Sequence, residues 1–242
     1  GDAKKSDDGK TITVMDEIST VTISKTDMGR TPAPLTGAEF ELTIKGTGNN
    51  FNGVTYGGTT VTDGTNKITF NGGDMTFTGL KDGQYTLKET VAPDGYTVVS
   101  EFDFTVENGV VKQIDSIVTN GRTQIEDDGK TLLVMDDIST IMISKREVGG
   151  AVIADDATFT LSAAAGNNLN GITYDGTAVT TDLTEVTFTG NDTEITGLKD
   201  GTYTLTEDTA PEGYHTVSAF TFTVENGIVT SFNAASDGDV TK

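Results

Sequence analysis

The chain repeats itself, and the length of the repeat decides what each copy can be. ITVMDEISTVTISK at 12–25 is answered by LLVMDDISTIMISK at 132–145, an offset of 120. Further along, FTGLKDGQYTLKETVAPDGY at 77–96 is answered by ITGLKDGTYTLTEDTAPEGY at 195–214, and FTVENGVV at 104–111 by FTVENGIV at 222–229, both at an offset of 118. A period this long is a whole domain and not a solenoid unit. The 242 residues therefore read as two copies of one module, with a two-residue deletion inside the second.

Within each copy, short alternating runs (VTISK, AEFELTI, NGVTY, KITF, MTFTGL, YTLKE, EFDFTV and VVKQI in the first) are separated by Gly, Asn and Asp. Thr and Gly make up roughly a third of the residues, a composition of strands and turns. No window sustains a helical period. SAAAGNN at 162–168 comes nearest and is stopped by Gly and Asn. The expectation is an all-β chain, two tandem β-sandwiches of about seven to nine short strands each.

Composition removes most other classes. With 37 acidic against 16 basic residues the net charge is -21, which argues against a nucleic-acid partner or an anionic membrane surface. The acids are spread along polar faces and loops, a pattern of solubility and mutual repulsion. Cys is absent and His215 is the single His, so thiolate nucleophiles, disulfides and two-His metal centres are excluded and no cofactor is expected. No run approaches the about 18 apolar residues of a membrane helix, and no signal peptide is visible.

Three ionisable residues break the pattern. Alternation puts Val21, Ile23 and Lys25 on one face of VTISK, and Ile141, Ile143 and Lys145 on the same face in the second copy. The same count groups Tyr85, Leu87 and Glu89, then Tyr203, Leu205 and Glu207. In TITVMD it carries Ile12 and Val14 on to Asp16, and in the second occurrence Leu132 and Val134 on to Asp136. A lysine, a glutamate and an aspartate thus face the core. Burial penalises charged forms, favouring an uncharged amine and protonated carboxyls. An uncharged amine is a nucleophile, and a glutamic acid beside it can polarise an aspartyl carboxyl and shuttle protons, giving a Lys–Asp amide. An ordinary buried salt bridge, or strand-end side chains snorkelling to water, fits the alternation equally well.

The strings ISKTD, PLTGAEFEL, GLKDGQYTLKETVAPDGY and VMDD resemble the Cna B-type (SpaA-like, prealbumin-like) domain of Gram-positive pilins and surface adhesins, over nearly all of both copies. The resemblance implies tandem Ig-like or prealbumin-like sandwiches arranged as a rod, each with an intramolecular isopeptide bond. The lysine would lie in the first strand, the catalytic acid in the ExxAPxGY segment and the Asp in the last strand. By motif these are Lys25, Glu89 and Asp136 in the first domain, with Asp137 as runner-up partner if a bulge swaps the faces, and Lys145 and Glu207 in the second.

Asp16 precedes Lys25 by nine residues, and EISTVT between them offers no Gly, Pro or Asn for a reversal, so an extended segment would hold them about 30 Å apart. The VMD strand therefore closes a preceding domain. This sets residues 1–17 as an N-terminal segment, 18–137 as domain 1 and 138–242 as domain 2, whose own closing strand is expected to be missing because SFNAASDGDVTK has no apolar run. Residues 11–17 either close an excised neighbour in a longer array or enter domain 2 of another copy, placing Asp16 in trans near Lys145. Pairing of 11–17 within domain 1 needs a turn not evident in the sequence.

Asp7-Asp8-Gly9 and Asp127-Asp128-Gly129 lack the alternating ligands of a calcium loop and read as turns. His215 has Thr97 in its place in the first copy and reads as an exposed loop residue. The resulting expectation is a non-enzymatic stalk, extracellular and held at the cell surface through a segment outside this chain. Its partners are adjoining domains of the same surface protein. Alternatives are a module binding host protein or glycan through the divergent 46–76 and 164–194 stretches, and a pilin subunit assembling by strand exchange.

Overall fold

Period-two burial organises both halves of the chain. The computed structural model describes residues 2–29, 33–115, 118–153 and 156–233, and among them there is no helix. By contacts the chain divides into two compact units, Gly1–Thr90 with Val99–Met135, and Val91–Val98 with Asp136–Lys242.

Unit 1 opens with a hairpin of β1 (Asp2–Lys5) and β2 (Ile12–Met15), a two-stranded sheet of its own. There follow β3 (Thr20–Asp27), β4 (Glu39–Ile44), β5 (Thr55–Tyr56), β6 (Thr59–Thr60), β7 (Lys67–Asn71), β8 (Asp74–Thr78) and β9 (Gly83–Val91). The unit continues with β10 (Phe102–Glu107), β11 (Val110–Ile114), β12 (Thr123–Ile125) and β13 (Thr131–Asp136). They form one sheet ordered β11-β10-β9-β4-β7 and another ordered β12-β13-β3-β8-β5-β6. That is more strand segments than the sequence suggested, because β5, β6 and β12 are only two or three residues long. Alternation supplies the core: Val21 and Ile23 from β3, Phe40 and Leu42 from β4, Tyr85 and Leu87 from β9 are all at most 1% exposed. Phe40 stacks on Phe70 at 5.3 Å, and Phe70 meets Phe77 edge-on at 5.1 Å.

Unit 2 has β14 (Thr140–Ser144), β15 (Thr158–Ala163), β16 (Thr173–Tyr174), β17 (Thr177–Ala178), β18 (Glu185–Thr189) and β19 (Asp192–Thr196), then β20 (Gly201–Thr209), β21 (Phe220–Glu225) and β22 (Ile228–Asn233). Its sheet β18-β15-β20-β21-β22 matches the first sheet of unit 1 strand for strand. Its other sheet, β14-β19-β16-β17, has no counterpart of β12 and β13 among the described residues, so β14 lies at an edge where β3 is covered. Residues 234–242, most of the tail in which a closing strand was sought, lie outside the described residues.

The two Asp-Asp-Gly motifs are turns. Gly9 and Gly129 have φ of 69° and 63°, a left-handed conformation that glycine adopts without steric cost. In each turn the amide of the following Lys donates to the second Asp, Lys10 to Asp8 and Lys130 to Asp128.

The buried tyrosines bring a measurable pH dependence. Tyr85 O–H donates to the Lys81 carbonyl at 2.6 Å and Tyr203 O–H to the Lys199 carbonyl at 2.7 Å. Burial pushes both phenols from 10.0 up to about 12. A raised folded-state value means that the stabilisation is fully present below about pH 10 and is lost as pH rises towards 12. Denaturant titrations across that range should show stability falling more steeply for wild type than for Tyr85→Phe and Tyr203→Phe. Parallel slopes would refute the assignment.

Candidate functional site

Lys25 continues the inward stripe of β3 and is 0% exposed. Glu89 continues the stripe of β9 in the opposite sheet, so the pair spans the core between the layers, Lys25 Nζ lying 2.9 Å from Glu89 Oε1. The other oxygen, Oε2, accepts the buried Val99 N–H at 2.7 Å, which fixes the carboxyl and aims Oε1 at the amine. The Phe40 ring lies 5.7 Å from Nζ and offers it an aromatic face. Asp136 ends β13, the strand beside β3, and is 1% exposed, whereas Asp137 is exposed. The hydrogen bond from Thr22 N–H to the Lys130 carbonyl, 2.9 Å, ties the start of β13 to β3.

Unit 2 repeats the lysine and the glutamate. Lys145 follows β14, and its Nζ donates to Glu207 Oε2 at 3.0 Å; the same oxygen accepts the Val217 N–H at 2.8 Å. Glu207 Oε1 is buried without a hydrogen-bond partner among the described residues. The surroundings differ from unit 1. The Lys145 side chain is 12% exposed, and with Ile141, Ile143, Phe159, Leu205 and Phe232 it lines an open cleft of about 830 Å³.

Asp16 departs from the expectation that it faces a core. Ile12 and Val14 are 75% and 71% exposed and Asp16 is exposed with them. The reason is that among the described residues β2 pairs only with β1, so its alternation presents a face against which none of them forms a second layer. The turn at Asp7-Asp8-Gly9 joins β1 to β2 and does not bring Asp16 back towards Lys25. His215 is exposed in a loop, as expected. Among the described residues no group of three His, Cys, Asp or Glu could hold a metal ion, and no helix is long and apolar enough to cross a membrane. Sequence reasoning missed the Val99 and Val217 amides, because a backbone donor leaves no side-chain signal. It also missed the Phe40 ring, whose only sign is its place on the inward face of AEFEL.

Two tandem sandwiches with a lysine and a glutamate buried between their layers define the class, and the family follows. The model of the SpaA prealbumin-like fold domain matches residues 19–119 and 139–237, and the chain belongs to that family. The chain is similar in structure to the Bacillus anthracis TIE protein (19% identity, TM-score 0.41, over 90% of this chain and 34% of that one). It is also similar to the open conformation of the pilus adhesin SpaC from Lactobacillus rhamnosus GG (17%, 0.42, 99% and 31%) and to a streptococcal ancillary pilin (21%, 0.35, 86% and 58%). The chain spans about a third of the length of the first two. No curated protein sequence matches it.

Proposed function

We propose that this chain is a structural stalk segment of a Gram-positive cell-surface adhesin or pilus, hardened by a self-formed isopeptide bond between Lys25 and Asp136. The observation that carries the reading is the Lys25–Glu89 pair, sealed between the sheets at 2.9 Å, with Asp136 buried at the end of the neighbouring strand. Membership of the SpaA prealbumin-like fold family supports the setting.

The chemistry needs no cofactor. The uncharged Lys25 Nζ attacks Asp136 Cγ while Glu89, held by the Val99 amide, donates a hydrogen bond to the carboxyl and polarises it. A C–N bond forms, a C–O bond breaks, and Glu89 returns the amine proton to the departing hydroxyl, which leaves as water. The reaction replaces groups that are costly to bury as ions with a neutral amide. It turns over once per molecule, so the chain is not an enzyme in the ordinary sense. Intact-mass spectrometry tests the bond: the protein should weigh one water less than its sequence, and a mass equal to the sequence would overturn the reading.

A further inference from the structure

Asparagine is among the chemically labile residues, and a glycine after it removes the Cβ that would keep the next amide nitrogen away from its carboxamide. The chain has six such steps, Asn52-Gly53, Asn71-Gly72, Asn108-Gly109, Asn120-Gly121, Asn170-Gly171 and Asn226-Gly227. In five of them the fold holds the nitrogen that would attack. Gly53 N–H donates to the Val61 carbonyl and Gly171 N–H to the Val179 carbonyl, both at 2.9 Å, and Gly72 N–H donates to the Ala38 carbonyl at 2.5 Å. Gly109 and Gly227 each donate to a carboxylate at 3.4 Å, that of Asp82 and that of Asp200.

Asn120-Gly121, ahead of β12, is the exception. Gly121 N–H has no acceptor among the described residues, and Asn120 and Gly121 are both exposed. Among the described residues no heavy atom beyond the chain neighbours lies within 4 Å of where a Cβ on Gly121 would stand. Arg122 N–H closes the turn on the Thr119 carbonyl at 3.0 Å. The left-handed pair, with φ of 52° and 77°, has to rotate out of this turn for the nitrogen to reach Cγ of Asn120. That rotation costs the turn bond, without the further amide bond that each of the other five steps would lose. Behind the turn the structure is tight. The Thr119 and Thr123 hydroxyls bond at 2.8 Å in a buried site, Met135 N–H donates to the Arg122 carbonyl at 2.8 Å, and Arg122 Nε donates to the Met135 carbonyl at 3.0 Å. Met135 immediately precedes Asp136 on β13.

We propose that Asn120 is a self-modification site, converted in the folded protein to aspartate and isoaspartate ahead of the other five steps, and that the conversion loosens β12 from β13. Gly121 N attacks Asn120 Cγ and an N–C bond forms. The Cγ–N bond of the carboxamide breaks, and the Gly121 amide proton leaves with that nitrogen as ammonia. Water then opens the cyclic imide at either carbonyl. Opening at Cγ gives aspartate, and opening at the main-chain carbon gives isoaspartate, whose backbone is longer by a methylene. Each product adds a negative charge to the turn. The longer backbone no longer fits the span from Thr119 to Arg122, so Arg122 and the bonds it exchanges with Met135 shift.

Folded wild-type protein is aged in mildly alkaline buffer, beside Asn120→Gln and a sample of wild type kept in denaturant, and each is digested and mapped by mass. Folded wild type should convert at Asn120 at least about fivefold faster than at any other step, the factor that one hydrogen bond's contribution sets. In denaturant, where no amide is held, the six steps should convert at similar rates. Asn120→Gln, whose longer side chain closes the imide ring far more slowly, should keep its charge over the same period. Equal rates at all six steps of the folded protein, or faster conversion at any of the other five, would overturn the site. Hydrogen exchange reads the consequence. The Met135 amide should exchange faster in aged than in fresh wild type, with aged and fresh Asn120→Gln alike. Unchanged exchange after full conversion would overturn the loosening of β12.

Discussion

Lys25→Met should lower the melting temperature of unit 1 by about 20 °C while leaving the transition of unit 2 in place. Methionine keeps most of the buried volume of lysine, so the loss isolates the bond from the cavity that alanine would leave. The proposed Lys25–Asp136 cross-link would close a loop of more than a hundred residues between the first and last strands of the sandwich. By the entropic argument developed for disulfides, such a loop contributes about 5 kcal/mol by restricting the unfolded chain. At about 4 °C per kcal/mol for a domain of this size, that is the shift given. Scanning calorimetry resolves the two transitions, and intact mass run on the same sample must show the missing water restored. If the mass is restored and the transition of unit 1 does not move, the bond of the wild type is mechanically idle, and the stalk reading loses its physical basis. If neither changes, Lys25 forms no bond.

The strands and the inward lysine and glutamate were legible because alternation is a local property. In VTISK and YTLKE the count by two separates buried from exposed residues, and Lys25 and Glu89 fall on the buried side in the structure. The same count failed for ITVMD at 12–16. Alternation says which side chains share a face; it cannot say whether a second layer lies against that face. The near-identical strings ITVMD and LLVMD make the point, since one carries exposed Ile12 and Val14 and the other fully buried Leu132 and Val134. What separates them, among the described residues, is the neighbouring strand, β3 for one and no more than β1 for the other. The orientation of Glu89 was illegible for a related reason: the amide that fixes it belongs to Val99, ten residues further along the chain and beyond the APDGY turn.

The proposed reaction gives Glu89 a chemical task beside its structural one, and two substitutions pull them apart. Glu89→Ala removes both carboxyl oxygens, leaving the Val99 N–H without its acceptor and Lys25 without the oxygen now 2.9 Å away. Leaving a buried polar group without its hydrogen-bond partner costs about 1–3 kcal/mol, so this variant, which also lacks the cross-link, should unfold in unit 1 well below wild type and keep its full sequence mass. Glu89→Gln retains a carbonyl oxygen for Val99 and the shape of the side chain, but its amide cannot give up and regain a proton. It should therefore keep about 1 kcal/mol more stability than the alanine variant through the preserved hydrogen bond. Without a general acid and base, bond formation should slow by about 10²–10⁴-fold, the range such catalysis usually supplies. Following the fraction of water-short protein by mass from the first minutes after synthesis distinguishes the roles. A glutamine variant that cyclises as fast as wild type would leave Glu89 as a positioning residue alone. A variant as stable as wild type, yet uncyclised, would mean that the cross-link adds nothing to the folded domain and that the buried trio serves a purpose other than hardening a stalk.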